Sequence, residues 1–273
     1  MASSPLPAAG ADNEPIAPRI LVGTSGYNYA EWKGSFYPEK LPAKKMLPFY
    51  AERLSTVEIN YTFYRMPTDR LLAGWSEVTP DHFRFTLKAP RRITHIARLR
   101  VCEEIVSACC GAAQTLGAKL GVLLFQLPPS FKKDLAVSDE FLGILPPGVR
   151  AAFEFRHVSW HDPDVFDRLG ARRLALCVAD SERMTTPIEV TAPYGYFRLR
   201  DQGYQPDDIA RWAETIAAAS AACGEVFVYF KHEDEGRDPN SLACSWTHSP
   251  RRRAERCRSP AAHAGPEYGH ATD

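Results

Sequence analysis

Charged side chains in this sequence gather just behind short apolar runs, where a strand would hand over to a loop. The run VFVYF at 226–230 stops at Lys231 and His232. TVEIN carries Glu58 and Asn60, FTLK ends on Lys88, LLFQ ends on Gln126, and FEFR carries Glu154 and Arg156. CVAD ends on Asp180, and FRLR carries Arg198 and Arg200. Residues two apart on a strand share a face, so Glu58 with Asn60, Glu154 with Arg156, and Arg198 with Arg200 are same-side pairs. Charges turned inward must pair with one another or with a ligand, because desolvating them alone is costly. Ion pairing within the protein would explain any one of these residues taken singly. The whole set, with its many cations at one rim, points instead to acid–base chemistry on an anionic, phosphate-bearing molecule. Glu58, Glu154 and Asp180 are the candidate catalytic groups. Asn60, Lys88, Gln126, Arg156, Arg198, Arg200, Lys231 and His232 are the candidate binding groups, with His232 equally readable as a surface residue.

Eight apolar runs must position these groups, at 20–24, 56–60, 82–87, 120–125, 151–155, 174–179, 195–199 and 226–230. Several are continuously apolar, which suits parallel strands covered on both faces. Helical spacing predicts helices near 44–54, 69–77, 101–116, 139–145, 162–169 and 206–222. The last is the clearest. Pro206, Asp207 and Asp208 supply helix-start chemistry, Ile209, Trp212, Ala213 and Ile216 recur on one stripe, and Gly224 follows the end. This alternation over about 240 residues predicts an α/β chain folded as a (β/α)8 TIM-like barrel, which collects its polar groups at the C-terminal ends of its strands. An open doubly wound sheet is the alternative, without support from a nucleotide-binding loop: Gly23-Thr24-Ser25-Gly26 is too short and lacks the lysine.

The loop after the first strand, GTSGYNYAEWKGSFYP, is rich in aromatic residues. A long loop needs a small core of its own, the role expected of Trp32 and Phe36. Tyr27 and Tyr29, next to a glycine at the strand end, are better placed to touch a ligand. A metal site has little support, because there is no HExxH, no HxH on a strand and no cysteine cluster. Glu58, Glu154, Asp180 and His232 would be the ligands, beside Lys88, Arg156, Arg200 and Lys231, which repel a cation. No cofactor is therefore expected, with a divalent metal as the alternative.

Lys plus Arg and Asp plus Glu number 33 each, so no global field selects nucleic acid or membrane, and electrostatic recognition must come from local clusters. No stretch is long and apolar enough to span a bilayer, and the first residues lack the basic and apolar regions of a secretory signal. A cytoplasmic protein is expected. The seven cysteines form no C-x-x-C pair and read as reduced thiols, most of them small buried residues.

VGTSGYNYAEWKGSFYP, TVEINYTFYRMP, FRFTLKAPRRITH, LGVLLFQLPPSF, FEFRHVSW and YFKHEDEG, taken in this order from about residue 20 to 236, closely resemble the DUF72 or YecE-like family. The resemblance implies a TIM-barrel-like fold. It names no reaction. The family's barrel is similar to the group that includes xylose isomerase and endonuclease IV, an analogy of fold alone. Many members carry a His-Gly pair after the seventh-strand Arg-Leu, where this chain has Arg200-Asp201; its Lys231-His232-Glu233-Asp234 differs as well. Members continue after the eighth strand into a helix that closes the barrel. Here 237–273 shows no amphipathic period and is rich in Arg, Cys, Ser and Pro. The expected organisation is a disordered lead-in over 1–18, a barrel over 19–236 with its closing helix missing or replaced, and an irregular tail, either frame-shifted or natural.

The function expected is that of an enzyme on a small anionic or phosphorylated ligand at the barrel mouth. The alternatives are a nucleic-acid or damaged-DNA binder, with Tyr27 and Tyr29 stacking on an exposed base, and a non-catalytic metabolite sensor. Substrate, reaction and oligomeric state are not legible in the sequence.

Overall fold

Strands that are apolar on both faces must be covered on both, and a closed parallel barrel wrapped in helices does this without leaving an edge. The computed structural model describes residues 17–181, 184–200 and 204–231. Its strands are β1 (Arg19–Ser25), β2 (Thr56–Ile59), β3 (Arg84–Lys88), β4 (Leu120–Gln126), β5 (Ala151–Glu154), β6 (Ala175–Asp180), β7 (Tyr194–Leu199) and β8 (Glu225–Phe230). They pair in parallel in chain order, and β8 returns to β1 with Arg19 opposite Glu225 and Thr24 opposite Phe230. The expected eight-stranded barrel is the observed fold.

Around it run α1 (Ala43–Ala51), α2 (Tyr61–Tyr64), α3 (Asp69–Glu77), α4 (Glu103–Ala113), α5 (Leu135–Ile144), α6 (Pro163–Ala171) and α7 (Pro206–Ala219). Among the described residues no helix joins β6 to β7. Boundaries depart from the spacing-based expectation for local reasons. α4 starts at Glu103 rather than 101, because Arg98, Leu99 and Val101 all have left-handed backbone angles. α5 starts at Leu135 rather than 139, because the Asp134 carboxylate accepts from the Val137 amide at 3.2 Å and caps the helix four residues earlier.

Alternation along the strands divides the core in two. Outward side chains such as Val57, Phe85, Leu123 and Phe153 are buried under the helices, joined there by Trp32 and Phe36 of the aromatic loop. Inward side chains, including Leu21, Val122, Leu124, Cys177, Tyr196, Phe227 and Tyr229, fill the lumen. The Tyr229 hydroxyl reaches across to Thr56 and Thr86, both at 2.7 Å, so the middle of the barrel is packed and hydrogen-bonded rather than hollow. Cys102, Cys109, Cys110, Cys177 and Cys223 are buried free thiols. No described helix is long and apolar enough to cross a membrane. Residues 1–16 of the lead-in expected over 1–18, His232 and the tail 237–273 lie outside the described residues.

β1 lies so close to β2 that a Cβ on Gly23 would sit 2.0 Å from the Thr56 carbonyl oxygen. Backbone cannot yield as a flexible side chain can, so Gly23→Ala is expected to lower stability by about 2 kcal/mol or more, read from the midpoint of urea unfolding. An unchanged midpoint would show that β1 and β2 can separate without cost.

Candidate active site

The same alternation that packs the lumen fixes what caps it. Following the inward positions to the C-terminal end of each strand gives Ser25 on β1, Glu58 on β2, Lys88 on β3, Gln126 on β4, Glu154 on β5, Ala179 on β6 and Arg198 on β7, with Lys231 just beyond β8. Arg198 is the centre of this layer. Its Nη2 donates to Glu58 Oε1 at 2.6 Å and its Nη1 donates to Glu154 Oε2, so one guanidinium neutralises carboxylates from two other strands. All three side chains are at most 2% exposed. The remaining carboxylate sites are also filled. Ser25 Oγ donates to Glu58 Oε1 at 2.9 Å and Tyr196 to Glu58 Oε2 at 2.7 Å. Gln126 donates to Glu154 Oε2 at 2.8 Å, and Arg156 Nε donates to Glu154 Oε1 at 2.8 Å.

The electrostatics follow from this pairing. Burial alone would raise the Glu154 carboxyl, but Arg198, Arg156 and Arg200 outweigh it and hold the group far below the usual carboxylate range. The two carboxylates raise the already high value of Arg198 against its burial. Arg200 is lowered by burial and by Arg198.

Above the layer lie two adjoining hollows. One, about 350 Å³, is bordered by Glu154, Arg156, Ala179, Arg200 and Lys231. It opens where β6 contributes only the methyl group of Ala179 to a layer otherwise built of polar side chains. The other, about 470 Å³, is lined by Ser25, Tyr29, Asn60, Lys88, His95 and Gln126, with Arg156, Arg200 and Lys231 on the shared side. Among the described residues no carboxylate forms an ion pair with Lys88, Arg91, Arg200 or Lys231, so the described part of this mouth carries a surplus of positive charge. No group of three His, Cys, Asp or Glu side chains among the described residues is placed to hold a metal ion.

The structure gathers Tyr29, Asn60, Lys88, Gln126, Glu154, Arg156, Arg200 and Lys231 around the cleft and sets Glu58 and Arg198 directly beneath it. Asn60 is not part of β2 but starts α2, and its amide donates to the Ser25 carbonyl at 3.3 Å. Tyr29 is held by its hydroxyl on the same carbonyl at 2.5 Å, under Gly26, whose φ of +105° and lack of a side chain admit the ring. Two candidates stand apart. Asp180 falls on the outward parity of β6, one residue after Ala179, and its carboxylate accepts from Thr185 at 3.0 Å and Tyr204 at 2.6 Å. Tyr27 packs on Tyr50 with ring centres 6.2 Å apart and lines neither hollow. His232 lies outside the described residues.

Sequence reasoning did not place Phe63, Tyr64, Arg91 and His95 in the cleft. Phe63 and Tyr64 come from α2, His95 from a π-helical turn, Arg92–Ile96, and Arg91 from the residue that precedes this turn, immediately behind β2 and β3. They lie inside the family-like motifs TVEINYTFYRMP and FRFTLKAPRRITH, but short turns after strand ends have no periodicity from which a place in the cleft could be read.

These features define a (β/α)8-barrel protein with a cationic cleft at the C-terminal mouth of its strands. A family described as "Protein of unknown function DUF72" matches residues 21–262, and the chain belongs to it. The UPF0759 protein YecE of Escherichia coli (strain K12) is 35% identical over 109 residues, 40% of each chain. The UPF0759 protein YunF of Bacillus subtilis (strain 168) is 28% identical over 157 residues, 55% of each. The matched stretch thus spans about half or less of these relatives. The crystal structure of a DUF72 family protein from Thermotoga maritima superimposes with a TM-score of 0.70 at 22% identity, covering 88% of this chain and 100% of that one. One from Enterococcus faecalis gives 0.68 at 21%, covering 86% and 98%. At these identities the likeness is one of fold.

Two consequences of the charged layer are measurable. Arg198→Met would leave two buried carboxylates without their shared cation, and a loss of about 3–5 kcal/mol is expected in chemical denaturation. Glu154 releases its proton more readily folded than unfolded, so its stabilising contribution is complete above the ordinary carboxylate value of about 4.3 and fades as the pH falls below it. Glu154→Leu should therefore flatten the acid limb of a stability–pH curve. An acid limb of unchanged slope would contradict the assignment.

Proposed function

We propose that this barrel is an enzyme that takes a small anionic substrate, of the phosphate-ester class, into the cleft at its C-terminal mouth. The observation that carries the reading is the imbalance of charge: Glu58 and Glu154 are consumed by Arg198 below, while Arg156, Arg200 and Lys231 converge on the hollow over Ala179. Guanidinium forks match the oxygens of phosphate, and a partly desolvated site strengthens each contact. Glu154 borders that hollow as a carboxylate held in its ionised form with both oxygens engaged by Arg198, Gln126 and Arg156, which suits it to orient those cations toward the hollow rather than to exchange a proton near neutral pH. Glu58, with both oxygens engaged, positions Arg198 and Tyr196. Asn60 and Gln126 offer neutral polar contacts on the other side.

A second reading, binding of single-stranded nucleic acid, draws on one observation. Tyr64 is 74% exposed and lines the cleft beside Arg91, a pairing of ring and cation that could accept a base and its phosphate. Salt separates the two readings, because contacts along a polyanionic backbone weaken steeply as salt rises.

Titration calorimetry with inorganic phosphate and a set of small phosphate esters should detect binding that Arg200→Ala weakens by about tenfold or more, the loss expected for one charge-assisted contact. Absence of binding, or binding indifferent to Arg200→Ala and Arg156→Ala, would overturn the anion reading. Binding of a single-stranded oligonucleotide that falls steeply with salt and is lost in Tyr64→Ala would favour the second.

A further inference from the structure

Lys88 is poorly explained as one more anion-binding cation. It ends β3 at an inward position, and its main-chain carbonyl is fixed by Thr62 Oγ1 at 2.7 Å, so its side chain is delivered into the cleft from a rigid point. Among the described residues its ammonium group has no ion-pair partner within 4.0 Å; instead Nζ lies 4.2 Å from the centre of the Phe63 ring. The groups that face it from the neighbouring elements are Glu58 from β2, Glu154 and Arg156 from β5, Arg198 and Arg200 from β7, Lys231 after β8, and Arg91 and His95 after β3. The two carboxylates are already engaged by Arg198, and Glu154 by Arg156 as well, whereas among the described residues Arg91, Arg200 and Lys231 have no carboxylate partner. A half-buried amine among guanidiniums sheds its proton easily, and burial followed by Arg198 brings Lys88 down to about 8. An amine so placed is a nucleophile near neutral pH, whereas an ordinary surface lysine is not.

We propose that Lys88 Nζ forms an imine with the carbonyl carbon of an aldehyde or ketone whose anionic group is held by Arg156, Arg200 and Lys231. The inference rests on the anion-binding reading of the cleft and narrows it to anionic carbonyl compounds. The amine lone pair adds to the carbonyl carbon, and one nitrogen proton moves to the carbonyl oxygen to give a carbinolamine. Its hydroxyl leaves as one water with the second nitrogen proton, which leaves the C=N bond, so the step is a condensation that needs no oxidant or reductant. His95 is placed to carry the proton. It lines the same cleft, its ring stands 5.0 Å from the Phe63 ring that Lys88 also touches, and its Nδ1 is 2.9 Å from Thr94 Oγ1. Burial and the nearby Lys88, Arg156 and Arg91 lower it, which keeps the imidazole neutral at pH 7.

The probe is pyridoxal 5′-phosphate, an aldehyde that carries a phosphate, followed by borohydride reduction of any imine and peptide mapping of the full chain. The expected result is one dominant adduct on Lys88, formed at a rate that rises with pH through about 8, where Lys88 loses its proton. Inorganic phosphate should protect it, and pyridoxal without the phosphate should react about tenfold more slowly, since it lacks the charge-assisted contacts. Lys88→Met should abolish the adduct while leaving the circular-dichroism melting curve at or above that of the parent, because a desolvated amine among cations is removed. Phosphate binding with no adduct at Lys88, or with labelling spread evenly over surface lysines or rising only near pH 10, would overturn the imine and leave the anion reading standing. Failure of phosphate either to bind or to protect would overturn both.

Discussion

A single buried guanidinium reconciles the charges that this barrel places inside itself. Without Arg198, Glu58 and Glu154 would be two desolvated carboxylates facing one lumen, a state far less favourable than a paired one. With it, strands β2, β5 and β7 are tied across the barrel axis, and Ser25, Gln126, Tyr196 and Arg156 complete the hydrogen bonding of the carboxylates. The oxygens of the two carboxylates are thereby engaged, and among the described residues the charge of Lys88, Arg200 and Lys231 above them is left for a ligand. That charge is positive among the described residues, and its focus is the hollow created where β6 contributes alanine to the ring.

Much of this was written in the sequence at two levels. The barrel was legible because continuous apolar runs such as LGVLLF and VFVYF cannot be half-exposed strands, and their regular alternation with helical stretches leaves few topologies. The inward pairs were legible because parity is a property of any strand: Glu58 and Arg198 could be placed in the lumen without knowing their partners. Parity also bears on Asp180. It follows Ala179, and Cys177 and Ala179 are the inward residues, so a strict count along β6 turns it outward to Thr185 and Tyr204. What could not be read was which charge meets which across the barrel. The Arg198–Glu58 contact joins residues 140 positions apart, a distance that no local pattern encodes. Phe63, Arg91 and His95 were hidden for a different reason, since they reach the cleft from single turns too short to have a period.

The two sides of the mouth differ in character. Around Ala179, Arg156, Arg200 and Lys231 present charge to a hollow bounded below by an ionised carboxylate. On the other side Lys88, His95, Phe63 and Tyr29 combine an amine without an ion-pair partner among the described residues, an imidazole lowered by burial and the nearby cations, and ring faces. An anion anchored on the first side would extend its remaining atoms over the second, which divides binding from chemistry within one cleft. Such a division uses the barrel as a rigid frame, with recognition and reaction supplied by the ends of different strands.

Arg198 absorbs the buried carboxylates and leaves the described part of the mouth cationic. The decisive experiment is a crystal structure grown with inorganic phosphate. The expected result is a phosphate in the hollow above Ala179 with its oxygens on Arg156 and Arg200, and Arg198 still bridging Glu58 and Glu154 beneath. An empty hollow with phosphate bound elsewhere, or Arg198 turned away from either carboxylate to meet the anion, would contradict the account.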